Sequence, residues 1–135
     1  MKDVEREIIG KLNKFFLEDI LVEDGYEYNR FDAENKIYIV EIKHRHKYYN
    51  DVVIEFDKYS YNLLYANHKS KYFLYVVSMG DYIYVFNISK LVRAKHKFNW
   101  ELRDMPKQTE FSQTEKVKKL VGYISTSLAS KKIKK

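Results

Sequence analysis

The segment 37–43, with sequence IYIVEIK, constrains the fold more than any other part of the chain. Its β-branched and aromatic residues favour a strand. Because apolar residues occupy both alternating sets of positions up to Glu41, both faces of this strand are expected to be buried. Such a strand lies at the centre of a sheet, with layers packed on both sides. Glu41 and Lys43 then interrupt a buried element with charge.

A second β-rich stretch, residues 26–32, precedes this strand, and the polar link 33–36 predicts a hairpin. Asp32 ends the first strand of the hairpin, and Glu41 lies near the end of the second. If the strands diverge there, both carboxylates can face one opening. Glu41 and Lys43 are two residues apart and project from the same face, whereas Ile42 points into the opposite layer. The hairpin therefore predicts a cluster of two carboxylates and one ammonium.

The remaining elements are predicted from apolar spacing. Helices are expected at residues 4–21, with Glu5 on the core side, at 51–67, and at 112–124 behind a capping-box pattern. Strands are expected at 72–79 and 82–88, joined by a turn at 80–81, and at 98–102. The order predicts an α/β (α+β) fold with a mixed central sheet and helices on its faces. We expect one domain over residues 1–129 and a disordered basic tail at 130–135.

Composition excludes several classes of function. The chain of 135 residues has no cysteine, which excludes thiolate zinc sites, disulfides and cysteine nucleophiles. No apolar run approaches the roughly 20 residues that span a bilayer, so no membrane partner and a cytoplasmic location are expected. No glycine-rich loop that cradles phosphates is present, so no nucleotide cofactor is expected. The net charge of +6, roughly +2 without the last five residues, permits a polyanionic partner.

The carboxylates and lysine of the hairpin suit phosphodiester hydrolysis. That reaction needs a divalent cation to activate water and to neutralise developing charge, and Mg²⁺ prefers hard oxygen ligands. Asp32 and Glu41 can supply such ligands, and Lys43 can hold and polarise the attacking water. The alternative interpretation makes Glu41 and Lys43 a solvent-facing pair on an edge strand and Asp32 a turn residue. The apolar character of the strand favours the functional interpretation.

Phe31-Asp32, followed by the run IVEIKHR at residues 39–45, resembles the PD-(D/E)XK nuclease superfamily, whose members include restriction-endonuclease-like and Holliday-junction-resolvase-like proteins. Phe31 stands where the family name has proline. The likeness covers roughly residues 4–77 and implies a restriction-endonuclease-like core of order αβββαβ. Segment 104–111 also resembles small phage-encoded proteins, and no function follows from that likeness.

The resemblance implies roles for individual residues. Asp32, Glu41 and the backbone carbonyl of Ile42 would bind Mg²⁺, with Mn²⁺ as a substitute, and Lys43 would position the nucleophilic water. Glu5 would take the place of the acidic residue that many members carry on the first helix, as a metal ligand or as an orienter of metal-bound water.

The predicted activity is that of a metal-dependent deoxyribonuclease, an endonuclease in preference to an exonuclease. DNA is the expected partner, and an enzyme that cuts both strands is expected to form a homodimer. Arg45, Lys47 and Lys58 are candidate phosphate contacts. The main alternative is a catalytically inactive module that binds nucleic acid or protein on the same fold. A third is a small viral or accessory protein that acts through its aromatic surface.

Overall fold

The structure, a computed structural model, describes residues 3–15, 21–23, 31–106 and 116–135. Its helices are α1 (Asp3–Phe15), α2 (Phe56–His68) and α3 (Ile88–Arg93), with a 3₁₀ turn at Thr126–Leu128. Its strands are β1 (Val22–Glu23), β2 (Ala33–Glu34), β3 (Tyr38–Arg45), β4 (Asp51–Glu55), β5 (Tyr72–Met79), β6 (Tyr82–Asn87), β7 (Glu101–Pro106), β8 (Lys116–Ser125) and β9 (Lys131–Lys134). None of the helices in these ranges has the length and apolarity needed to cross a bilayer.

The main sheet has six strands in the order β1-β2-β3-β5-β6-β9. β3 runs parallel to β5 and the other neighbouring strands are antiparallel, so the sheet is mixed. The parallel pair is possible because α2 lies in the crossover that returns the chain to the same end of the sheet. β3 is a central strand with Val40 and Ile42 buried, as the segment 37–43 predicts.

Two apolar layers cover the main sheet. On one face, Ile8 and Leu12 of α1 pack against Val40 and Ile42 of β3. On the other face, α2 and a second sheet pack against residues that include Phe73. This mixed α+β architecture, with helices on a mixed central sheet, confirms the predicted fold class. The predicted order αβββαβ is present as α1, β1 to β3, α2 and β5, with β4 added before α2.

The second sheet, of order β4-β8-β7, is absent from the sequence prediction. The helix expected at 51–67 is wrong over its first five residues, because Asp51–Glu55 is strand β4 and α2 begins at Phe56. Val52 and Ile54 are buried and alternate with more exposed neighbours, which is the period of a strand. β4 pairs antiparallel with β8 over its whole length.

The helix expected at 112–124 is also wrong where it is described, because residues 116–125 form β8. This strand is held between β4 and β7, so pairing with distant segments decides its conformation. The capping-box pattern at 112–115 lies outside the described residues, as do residues 16–20 of the first helix and most of the strand expected at 26–32. The short strand expected at 98–102 is wrong over 98–100, which are irregular, and overlaps β7 only at residues 101–102. The hairpin of β5 and β6 confirms its prediction, with Gly80 at a φ of 59° in the turn.

The basic tail expected to be disordered forms strand β9, antiparallel to β6. Ile133 is buried in the layer that contains α1, and the Lys132 ammonium lies 4.2 Å from the centre of the Tyr82 ring. Burial of one side chain and a cation–π contact stabilise the strand. Its remaining lysines suit an edge strand, since charge there discourages pairing with another chain.

Gly122 in β8 makes a close approach that leads to a stability prediction. A Cβ at this position would lie 2.8 Å from Cζ3 of Trp100 and 2.9 Å from Cβ of Phe98. Gly122→Ala should therefore lower the free energy of unfolding by about 1–3 kcal/mol, measured in urea. Gly10→Ala is the control, because nothing lies within 4 Å of a Cβ there and alanine favours the helix. Equal stability of Gly122→Ala and wild type would contradict the packing.

Candidate active site

Asp32 immediately precedes β2, and two hydrogen bonds hold it against β3 beside Glu41. Ala33, the next residue, pairs with Val40 of β3. The Asp32 backbone N–H donates to the Val40 carbonyl at 2.8 Å, and Asp32 Oδ2 accepts from the Ile42 N–H at 2.7 Å. The Asp32 carboxylate is therefore bound to the residue that follows Glu41 in β3, and it lies close enough for the charge of Glu41 to act on it.

Glu41 is a buried carboxylate with two ammonium neighbours. Its side chain is 6% exposed, and Oε1 lies 3.7 Å from Nζ of Lys43 and 3.0 Å from Nζ of Lys58. Lys43 comes from the same face of β3, two residues further on, and Lys58 comes from the first turn of α2. A buried carboxylate needs such partners, because burial without compensation disfavours its charged form.

The pKa values of the two carboxyls are both raised. Burial, followed by the charge of Glu41, raises the pKa of Asp32 to about 7. Burial also raises the pKa of Glu41, against the opposing effect of Lys58 and Lys43. Burial and the like charge of Lys58 lower the pKa of Lys43 to about 8. Burial thus disfavours the charged form of each of these three side chains. Shifted pKa values of this kind are common among the residues of functional sites.

Glu5 approaches this cluster from α1. Its side chain is partly buried, and its charge raises the pKa of both Asp32 and Glu41. Since α1 packs on the face of β3 opposite to Glu41, Glu5 reaches the carboxylates from another direction than α2 does. The structure thus places the charge of Glu5 near Asp32 and Glu41, and a role of Glu5 in the site stays a prediction.

The donor set fits a magnesium ion with few protein ligands. In the part of the chain that the structure describes, no group of three or more His, Asp or Glu side chains is arranged to hold a metal. Mg²⁺ commonly takes one or two carboxylates and keeps several waters. Asp32 and Glu41 supply that number of hard oxygen ligands. Coordination of a metal by Asp32, Glu41, the carbonyl of Ile42 and Glu5 stays a prediction.

The predicted phosphate contacts are dispersed. Arg45 lies on the same face of β3 as Lys43, and its guanidinium donates to the His44 carbonyl at 3.2 Å. Lys47 is exposed in the connection between β3 and β4. Lys58 contacts Glu41 rather than lying on the outer surface. Contact of these three residues with nucleic acid stays a prediction.

The Lys58 contact predicts a loss of stability on mutation. Lys58→Met keeps the apolar stem and removes one of the two ammonium partners of buried Glu41. We expect the free energy of unfolding to fall by about 1–3 kcal/mol, the value of a hydrogen bond to a charged group. Lys47→Met, at an exposed position, is the control and should change stability little. Equal urea midpoints for Lys58→Met and Lys47→Met would show that Lys43 alone compensates Glu41.

A cavity of about 310 Å³ beside Lys43 has no counterpart in the sequence prediction. Arg103 and Met105 of β7 and Tyr123 of β8 line it together with residues of β3, β4 and β5. Its walls come from both sheets, and β4 and β8 of the second sheet replace segments predicted as helix. The strand expected at 98–102, which overlaps β7 at residues 101–102, is the one sequence prediction that reaches this wall.

Comparison with known proteins identifies the fold. No protein-family model matches the chain, and no curated protein matches it. The chain is similar to the solved structure of Hjc, a Holliday junction resolvase from the archaeal hyperthermophile Archaeoglobus fulgidus. The TM-score is 0.54 at 14% sequence identity, over 96% of this chain and 87% of that one. At this identity the likeness shows the fold, and it confirms the predicted resolvase-like architecture of a mixed sheet flanked by helices.

Proposed function

We propose that this chain is a metal-dependent nuclease that hydrolyses phosphodiester bonds of DNA, acting as an endonuclease. The observation that supports the proposal most is the proximity of the Asp32 and Glu41 carboxylates, with Asp32 Oδ2 accepting from the Ile42 N–H at 2.7 Å and the Lys43 ammonium 3.7 Å from Glu41. Two carboxylates and a lysine are the groups that such hydrolysis needs. The likeness in fold to a Holliday junction resolvase supports the same reaction class.

Each residue has a defined task in the proposed reaction. Asp32 and Glu41, with the backbone carbonyl of Ile42, would hold Mg²⁺, for which Mn²⁺ substitutes. When bound, the ion supplies a water of lowered pKa and neutralises charge on the phosphate. The Nζ of Lys43 donates to the attacking water and to a phosphate oxygen, which orients the one and balances charge on the other. Glu5 accepts from water close to the two carboxylates.

The activity is tested by incubating the protein with circular and linear DNA in Mg²⁺, Mn²⁺ or EDTA. Nicking or linearisation of the circle with either metal, and none in EDTA, is the expected result. Degradation of linear DNA without cleavage of circular DNA would indicate that the protein is an exonuclease and not an endonuclease. Absence of cleavage of every DNA form at both metals would contradict the proposal.

The place of Glu5 is tested with a neighbour on its own helix. Glu5→Gln should lower the cleavage rate by about 10- to 100-fold, the usual effect of a residue that orients metal ligands or their water. Glu7→Gln is the matched control, because Glu7 is exposed on the same helix. Equal cleavage rates for the two variants would show that Glu5 is not part of the site.

A catalytically inactive binding module is the second candidate, and one contact favours it. The Lys58 ammonium lies 3.0 Å from Glu41 and already supplies a positive charge beside that carboxylate. In a binding module, Lys43→Ala should bind DNA as wild type does, and neither protein should cleave it. Calorimetric titration with Mn²⁺ separates the two candidates further, because only the nuclease requires a metal site at Asp32.

Cleavage of both strands of a duplex would require two centres, and we propose a homodimer for that case. Sedimentation with and without DNA tests it. A monomer that linearises circular DNA in a single binding event would contradict this arrangement.

A further inference from the structure

The cavity beside Lys43 has the composition of a nucleotide site. It lies between the main sheet and the second sheet and has a volume of about 310 Å³. Its walls combine apolar and aromatic side chains, among them Val53, Val77, Met105, Tyr75 and Tyr123. Sites for small organic groups are mostly apolar, and about 300 Å³ is the lower end of their range. The cavity therefore has room for one compact, flat group.

The cavity adjoins the proposed catalytic cluster. Lys43 lines it and also lies 3.7 Å from Glu41. A smaller cavity of about 30 Å³ shares Lys43, Arg45 and Met105 with it and extends to Lys58. The two cavities thus share walls, and the smaller one reaches Lys58, which contacts Glu41. A nucleotide whose phosphate is bound at the carboxylates has this apolar space beside it.

Cations surround this apolar space. Lys43, Arg45 and Arg103 line the cavity, and Asp51 is the one carboxylate among the lining residues that the structure describes. Cations beside aromatic walls match a nucleotide, whose phosphate prefers ammonium and guanidinium groups and whose base stacks on rings. A carboxylate at the edge can accept from the amino group of a base.

A base in continuous duplex cannot enter such a cavity without leaving its stack, which costs a few kcal/mol, whereas an unpaired base enters more easily. We propose that the cavity receives the base of one unpaired nucleotide next to the phosphate held at Asp32 and Glu41. The substrate class is then DNA with unpaired nucleotides, such as a bulge or an overhang, rather than continuous duplex. This inference rests on the proposed nuclease function.

Fluorescence of 2-aminopurine tests the occupant without requiring cleavage. One oligonucleotide duplex carries 2-aminopurine as an unpaired bulge, and a matched duplex carries it paired. Both are titrated with protein in EDTA and in Ca²⁺, which takes the same oxygen ligands as Mg²⁺ with looser geometry. We expect a fluorescence change on binding for the bulge only, and binding at least about 5-fold tighter than to the paired duplex, the lower bound of one stacking contact.

Two variants of β7 locate the base. Met105→Trp fills the cavity, and we expect it to lose the fluorescence change and the preference for the bulge. Leu102→Trp is the matched control, because Leu102 is 68% exposed on the same strand and is not among the lining residues. Met105→Trp should cleave the bulged duplex no faster than the paired one, and circular dichroism checks that both variants are folded.

The inference and the nuclease proposal fail in different ways. If wild-type protein gives equal fluorescence and affinity for bulged and paired duplexes, the inference is overturned even when Mg²⁺-dependent cleavage is present. Because this comparison uses wild type, it stands even if Met105→Trp does not fold. Wild-type protein could instead give a bulge-specific signal that Met105→Trp loses, while cleaving no DNA in Mg²⁺ or Mn²⁺. That result would support the base site and contradict the nuclease proposal. Equal responses of Met105→Trp and Leu102→Trp would place the base elsewhere and overturn the inference.

Discussion

Replacing Asp32 with asparagine is expected to lower metal-dependent DNA cleavage by at least about 10³-fold, because a metal ligand contributes several kcal/mol to the transition state. The amide keeps the shape of the side chain and can still accept from the Ile42 N–H, which donates to Asp32 at 2.7 Å. Only the charge is lost. Single-turnover cleavage of a labelled duplex at saturating protein measures the effect.

The same variant should be at least as stable as wild type. Burial and the charge of Glu41 raise the pKa of Asp32 to about 7, so at pH 8 the folded state holds a carboxylate that is disfavoured relative to the unfolded chain. Asparagine removes that cost, and its melting temperature at pH 8 should equal or exceed that of wild type. Asp81→Asn, at an exposed turn position, is the control for both measurements. Retention of cleavage within about threefold by Asp32→Asn would exclude Asp32 as a metal ligand.

Replacing Lys43 with methionine is expected to lower the cleavage rate by about 10²- to 10⁴-fold, the range for a group that positions or exchanges a proton in the reaction. The thioether keeps the length and apolar stem of the lysine, so packing between β3 and the second sheet should change little. Affinity for DNA should stay within a few-fold of wild type. The cleavage rate at saturating protein and the equilibrium affinity for DNA are measured separately, which distinguishes a loss of catalysis from a loss of binding.

Lys47→Met provides the contrast, because Lys47 is exposed and is proposed to contact phosphate. It should weaken DNA binding, reduce the salt dependence of binding by about one counterion, and leave the saturating rate unchanged. If Lys43→Met behaves in this way as well, Lys43 is a binding residue and the assigned role in catalysis is wrong.

The part of the site that could be predicted is the part that local spacing determines. Asp32 and Glu41 flank the short connection of the predicted hairpin, which brings them close together, although residues 33–34 of the expected link form strand β2 and Asp32 lies just before it. Glu41 and Lys43 share a face because the side-chain period of a strand is two. The central position of β3 follows from the apolar residues on both of its faces.

The part that could not be predicted depends on pairing between distant segments. Val52, Phe56, Tyr59 and Leu63 have helical spacing, yet Val52 belongs to β4 and the others to α2. Short apolar segments fit both periods, and the partner strand decides between them. The same holds for β8, where pairing with β4 and β7 overrides a helical pattern. The cavity, whose walls come from both sheets, could not be predicted for that reason.

Lys58 and Ile133 show two further limits. The helical position of Lys58 was predictable, but its contact with Glu41 requires the packing of α2 against β3. Four lysines among the last five residues suggest a disordered tail by composition. The segment instead forms a strand that pairs with β6, and its single apolar residue, Ile133, is buried. In both cases one tertiary contact outweighs the local pattern.

The central claim is that Asp32 and Glu41 hold a divalent cation, and a crystal soaked in Mn²⁺ tests it most directly. Anomalous scattering should give a peak within coordination distance of both carboxylates, about 2.5 Å or less, with Ile42 contributing its carbonyl. The same peak should be absent from crystals of Asp32→Asn soaked in the same way. No peak at this position, at a Mn²⁺ concentration that supports DNA cleavage in solution, would contradict the account.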